Sequence, residues 1–176
     1  MGEGSVWGYR ALYAGITVVL LFLKLLPIGS MTGGWPGPDL VLCVTLAWTM
    51  RRPDYLPASL VAGVVLLEDL ILMRPPGLWA ALVVGASEFI RARVALTREL
   101  TFVVEWLLVS GIMVALFVAN RLVCAIAFVP QPGFGFSIVG VLWSIGFYPV
   151  VVGLSRIVLD LRKPAMGEVD AYGRRL

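Results

Sequence analysis

Residues 101–128 read TFVVEWLLVSGIMVALFVANRLVCAIAF. Only Glu105 and Arg121 ionise in this run, and no proline interrupts it before Pro130. A helix of this length exceeds the ~20 residues that cross the ~30 Å hydrocarbon core of a bilayer. Working outward, five further apolar runs predict spans at about 11–27, 38–50, 57–73, 77–90 and 137–161, besides 101–128. The expectation is an all-α integral membrane protein, a compact bundle of six transmembrane helices forming a single transmembrane domain over 1–176.

The breaks between runs have chemical causes. Pro27 to Pro38 contains Gly29, Gly33, Gly34, Pro36 and Gly37, through which no helix continues. Pro53 and Pro57 bracket the second connection, and Pro57 suits a helix start. Pro75-Pro76-Gly77 reads as a tight turn, and Pro130, Pro132, Gly133 and Gly135 separate the last two runs. The second and fourth runs are short for a span, which calls for bilayer thinning, extension by flanking residues or shielding by protein. Pro149 predicts a kink inside the last run. The first run lacks a small-residue cleavage pattern and reads as a retained helix.

Composition agrees. The chain is 60% hydrophobic and 14% charged, with a mean hydropathy of +0.93, where soluble domains run at ~45–50% apolar and ~25% charged. The net charge of +3 does not point to nucleic acid, because the basic residues sit in short loops between apolar runs. Alternate connections hold Arg10; Arg51 and Arg52; Arg91, Arg93 and Arg98; and Arg162, Lys163, Arg174 and Arg175, whereas the opposite set holds Arg74. Such a bias predicts a multi-pass inner-membrane protein with both termini cytoplasmic. Trp7, Tyr9, Trp35, Tyr55, Trp79 and Phe134 fall where interfacial aromatic belts lie.

The remaining ionisable residues fall into two layers. Lys24, Asp39, Glu68, Asp69 and Arg121 lie near the outer ends of their runs, and Glu88, Glu105, Arg156 and Asp160 near the inner ends. A charge in hydrocarbon costs at least ~2.5–3.5 kcal/mol. Lys24 and Arg121 are on offer as partners for Asp39, Glu68 and Asp69, and at least one ion pair among them is expected. Such a layer is either a structural clamp on helix register or a polar site open to the outside or to a partner. The middle of the spans, near Val19, Val44, Val65, Val84, Val114 and Pro149, holds no ionisable residue, which argues against an ion-coupled pump. Cys43 and Cys124 read as buried thiols.

Small residues recur every four positions at Gly111, Ala115 and Ala119, at Ser59 and Gly63, at Ala81 and Gly85, and at Gly140 and Ser144. Such faces let helix backbones approach closely and are expected to pack within the bundle, with docking of a partner helix as the alternative. The sequence holds no histidine, no phosphate-binding glycine loop and no CxxC, so no catalytic set, metal site or cofactor motif is evident. Glu68 and Asp69 are adjacent and point about 100° apart on a helix, a poor acid–base dyad. A non-enzyme is expected.

The stretch Trp35-Pro36-Gly37-Pro38-Asp39-Leu40 opens a short span ending in Arg51-Arg52-Pro53. It is followed by Gly63, Glu68-Asp69 and the turn Arg74-Pro75-Pro76-Gly77-Leu78. This pattern resembles MreD, the rod shape-determining membrane protein family of bacteria, over about Trp35 to Ala81. The family's P-x-L opening falls on Pro38 to Leu40, its glycine and late aspartate on Gly63 and Asp69, and its P-x-G-L turn on Pro75 to Leu78. Here the interval from Gly63 to Asp69 is longer than usual and gains Glu68. The resemblance implies a non-catalytic scaffold of the cell-elongation machinery that helps regulate peptidoglycan synthesis. MreC would be its main partner, with RodA, the transpeptidase partner of RodA, RodZ and MreB in the wider complex. It also implies a fold similar to the substrate-binding subunits of energy-coupling transporters. The alternative is therefore a vitamin-type small-molecule binding subunit.

Overall fold

The computed structural model describes residues 3–26, 36–93 and 101–159. Trp35, the glycines at 29, 33 and 34, Arg98, Asp160 and the basic residues from Arg162 onward lie outside the described residues. Among the described residues six helices form: α1 (Glu3–Leu25), α2 (Leu40–Arg51), α3 (Ala58–Ile71), α4 (Leu78–Ala92), α5 (Phe102–Ile126) and α6 (Phe134–Leu159). A single 3-10 turn, Pro53–Tyr55, joins α2 to α3. Among the described residues there is no strand.

Each apolar run becomes one helix. The largest difference is at the start, where α1 begins at Glu3 and not near residue 11. Its early turns are held by the 3-10 turn. The Tyr9 ring stacks on Tyr55 at 4.5 Å, and Arg10 donates to the Asp54 carbonyl at 3.5 Å. Tyr55 is accordingly buried and not part of an exposed aromatic belt, whereas Trp7 and Phe134 are exposed.

The arrangement is an arc around a central rod. α1 packs on α3, α3 on α4, α4 on α5 and α5 on α6, while α2 touches α1, α4 and α6 from within. Every residue of α2 from Val41 to Arg51 is buried. Its shortness follows from this placement: at about 18 Å for 12 residues it need not match a bilayer, because protein surrounds it.

The outer helices bury one stripe each. In α1 the stripe is Tyr13, Thr17 and Leu21; in α5 it is Glu105, Val109, Met113 and Leu116; in α6 it is Ser144, Tyr148, Val151, Val152 and Ser155. The spacing of three and four is that of one helix face. The opposite faces are exposed and strongly apolar, as at Val18, Phe22, Leu107, Leu122, Leu142 and Leu154. Polar groups inside and hydrocarbon outside reverse the pattern of a water-soluble bundle. Among the described residues three helices, over Val6–Leu25, Phe102–Ile126 and Phe134–Ile157, are long and apolar enough to cross a membrane.

α6 runs unbroken through Pro149. Proline has no N–H, so the carbonyl four residues earlier, at Ile145, loses its helical donor. The Trp106 indole N–H fills that place from α5 at 3.0 Å. In the core, the Tyr13 and Thr45 hydroxyls share a hydrogen bond of 2.8 Å, and Thr45 and Thr49 donate back to Val41 and Thr45 carbonyls.

Candidate functional site

Both ends of α2 are tied by charge. At its N-terminus, Asp39 accepts from the Leu42 amide at 3.2 Å, an N-cap that satisfies one of the free donors of the first turn. The Asp39 amide donates to the Ser144 hydroxyl of α6 at 2.8 Å. Lys24, in the last turn of α1, reaches both Asp39 at 3.6 Å and Glu68 at 2.7 Å. Arg74, from the turn after α3, adds a longer contact to Glu68 at 3.9 Å. Glu68 is almost wholly buried, while the side chains of Lys24 and Arg74 are 31% and 34% exposed. The cations thus cover a buried carboxylate and present their outer sides to a cleft.

The structure brings Lys24, Asp39 and Glu68 into one network and assigns Asp69 and Arg121 elsewhere. Among the described residues Asp69 meets no cation. Its Oδ2 accepts from the Gly77 amide at 3.1 Å and the Ala80 amide at 3.2 Å, so it caps the N-terminus of α4 from the neighbouring helix. Gly77 sits at φ +89°, a left-handed turn that glycine adopts without a steric penalty and that aims its N–H back at Asp69. Among the described residues, Asp69 Oδ1 and Glu68 Oε2 are buried without a hydrogen-bond partner. The expected ion pair in this layer is formed by Lys24, and Arg121, the other cation on offer, pairs with none of these carboxylates. It donates through Nη1 to the Pro132 carbonyl at 3.2 Å and the Ser137 hydroxyl at 3.4 Å, and lies 5.0 Å from the Phe134 ring centre. The α5–α6 loop folds over it and supplies acceptors nearer than the acids of α2 and α3.

Between these groups opens a cleft of about 610 Å³. Lys24, Asp39, Arg74, Asn120 and Arg121 supply its polar wall. Leu42, Leu72, Met113, Phe117 and Val141 supply an apolar one. Trp79 also lines it, with the Arg74 guanidinium 5.7 Å from its ring centre and a buried indole N–H that has no acceptor among the described residues.

No family model, curated protein or solved structure matches this chain. The resemblance to MreD therefore rests on the residues quoted for it.

The opposite end of α2 carries a pairing that the sequence did not announce. Arg51 donates to Glu105 of α5 at 2.6 Å, with both side chains buried, and the Tyr148 hydroxyl of α6 donates to the same Glu105 oxygen at 3.0 Å. A buried carboxylate held by a guanidinium and a phenol is electrostatically satisfied. Arg51 reads in sequence as a loop cation and Glu105 as one more inner-layer acid. Nothing in their spacing marks them as neighbours. Glu88 pairs with Arg91, one turn along α4, and Arg91 also binds the Leu56 carbonyl. Arg156 is exposed.

The small-residue faces also differ from expectation. Gly63, Gly111 and Ala115 are exposed, and Ala119 is half-buried. A Cβ added at Gly63, Gly85 or Gly111 would meet nothing within 4 Å. Because α2 fills the middle of the arc, α3, α4 and α5 turn these faces outward. At Gly140 an added Cβ would meet Pro36 Cβ at 3.5 Å, an ordinary van der Waals contact. Cys43 and Cys124 are both free, and the Cys43 thiol donates to the Ser144 carbonyl at 3.3 Å.

Proposed function

We propose that this chain is an inner-membrane protein of six transmembrane helices, with both termini cytoplasmic, that serves as a non-catalytic scaffold of the bacterial cell-elongation machinery. The observation that carries the scaffold reading is the outward placement of small residues on α3 and α5. Gly63, Gly111 and Ala115 are exposed, and a Cβ added at either glycine would meet nothing within 4 Å. In a bilayer, where apolar burial does not drive helices together, such faces allow the close backbone contact that does. α2, with Lys24 and Asp39 at one end and Arg51 and Glu105 at the other, gives those faces a stiff support. The apolar exterior and the enclosed ion pairs support the membrane placement, and the basic bias supports the orientation.

MreC is the partner that the sequence pattern favours, with RodA, its transpeptidase, RodZ and MreB beyond it. Affinity purification of the full chain in mild detergent, followed by mass spectrometry, tests this. Recovery of MreC and wall-elongation proteins is the expected result. The cleft near Lys24 favours a second reading, a small-molecule binding subunit of an energy-coupling transporter. Co-elution of an ATPase pair with its membrane coupling subunit would replace the first reading with the second.

A further inference from the structure

The outward rims of the helices and the groove between α1 and α3 are apolar and carry no sign of what covers them. The Arg51–Glu105–Tyr148 cluster is closed on itself. The cleft near Lys24 is different, because one of its cations has no carboxylate beside it. Lys24 and Arg74 face Asp39 and Glu68, whereas Arg121, in the same lining, reaches neither. Asp69 is engaged by the amides of α4. Among the described residues no carboxylate pairs with Arg121, which commits only Nη1 to hydrogen bonds with protein acceptors. Its remaining N–H donors, on a half-buried side chain lining the cleft, are uncommitted. The Trp79 N–H in the same lining also lacks an acceptor.

We propose that this cleft binds a monoanionic phosphodiester carried on an apolar tail, as in an anionic phospholipid. A guanidinium without a carboxylate partner calls for an anionic group. A guanidinium fork matches two phosphate oxygens better than a single acceptor. A volume of about 610 Å³ holds a head group and the first part of a tail. The apolar wall of Leu42, Met113, Phe117 and Val141 receives the tail, and Arg121, Arg74 and Asn120 face the head. The inference rests on the membrane placement proposed above but not on the scaffold assignment, since a resident or signalling lipid is compatible with either reading.

The test uses the full chain in neutral detergent, with binding followed by native mass spectrometry. The probes are dihexanoyl-phosphatidylglycerol, dihexanoyl-phosphatidylcholine with the same tails and no net charge, and dimethyl phosphate as the free phosphodiester. Phosphatidylglycerol is expected to bind more tightly than the other two. Arg121→Gln, which keeps a donor for Pro132, should weaken it about tenfold, the loss of roughly one charge-assisted hydrogen bond. Asn120→Trp, which fills the cleft and leaves every charge in place, should weaken it as much and stands as the test if the first variant folds poorly. Arg93→Gln, at the other end of the bundle, should leave binding unchanged.

Equal binding of phosphatidylcholine would overturn the charge argument. Dimethyl phosphate binding as tightly as the lipid would overturn the amphiphile. Binding that ignores both cleft variants, or falls equally with Arg93→Gln, would overturn the site. In parallel, a chain that alkaline carbonate strips from vesicles overturns the membrane placement and the proposal together. An embedded chain that binds no probe overturns the proposal alone.

Discussion

Adjacent acids do different work here, and helical geometry explains it. Glu68 and Asp69 stand about 100° apart around α3. Glu68 turns to Lys24 and Asp69 to the first turn of α4. That they diverge was legible from adjacency, and that Lys24, Asp39 and Glu68 share one depth was legible from their places in the apolar runs. The partner of Asp69 was not, because a helix N-terminus carries no charge in the sequence although its free amides act as one. Asp69→Ala orphans the Gly77 and Ala80 amides. Loss of an N-terminal cap costs ~1–2 kcal/mol, so the thermal midpoint in detergent should fall by several degrees. Asp69→Asn keeps an acceptor and should fall less. An unchanged midpoint for Asp69→Ala would show that the capping contact contributes nothing to stability.

At the scale of the element, α2 explains what the helix pattern alone could not. Its 12 residues are too few to span a bilayer unaided, and shielding by protein was one of three readings open to the sequence. Periodicity cannot separate them, because a helix buried all round has no polar face to reveal its orientation. The same blindness applies to the small-residue faces: spacing by four places Gly111 and Ala115 on one side of α5 without saying which side. The position of α2 settles this, turning those faces outward, whereas Gly140 lies against Pro36. Gly63→Leu and Gly111→Leu should therefore leave the thermal midpoint within about 1 °C of wild type, as substitutions without a packing partner do. Gly140→Leu should overpack the contact with Pro36 and cost ~1–3 kcal/mol. If the outer faces dock partner helices, the first two variants should also lower the yield of co-purified MreC while the protein itself stays folded. A large loss of stability at Gly63 or Gly111 would mean that these faces pack within the bundle after all.

At the scale of the whole molecule, six alternating helices put the Lys24 end and the Arg51 end on opposite sides. Arg10, Arg51, Arg52, Arg91 and Arg93 gather at one of them. In the orientation proposed above, the positive-inside rule puts that end in the cytoplasm. Met73 and Phe128 mark the other end. They follow α3 and α5, are 94% and 93% exposed, and both hold left-handed backbone conformations at the point where the chain turns away from the helix. In the orientation proposed above, each is open to a reagent in the adjoining compartment. Cys43 and Cys124 are buried, so the wild-type chain should be silent toward a membrane-impermeant maleimide and serve as its own blank. Met73→Cys and Phe128→Cys should label in intact spheroplasts. Arg93→Cys, exposed at the end of α4, should label only after the membrane is permeabilised. The reverse pattern would invert the molecule and move the Lys24 cleft to the cytoplasm, where an outward-facing ligand could not reach it. Labelling of all three in intact spheroplasts would place both ends in one compartment, which a six-span bundle forbids.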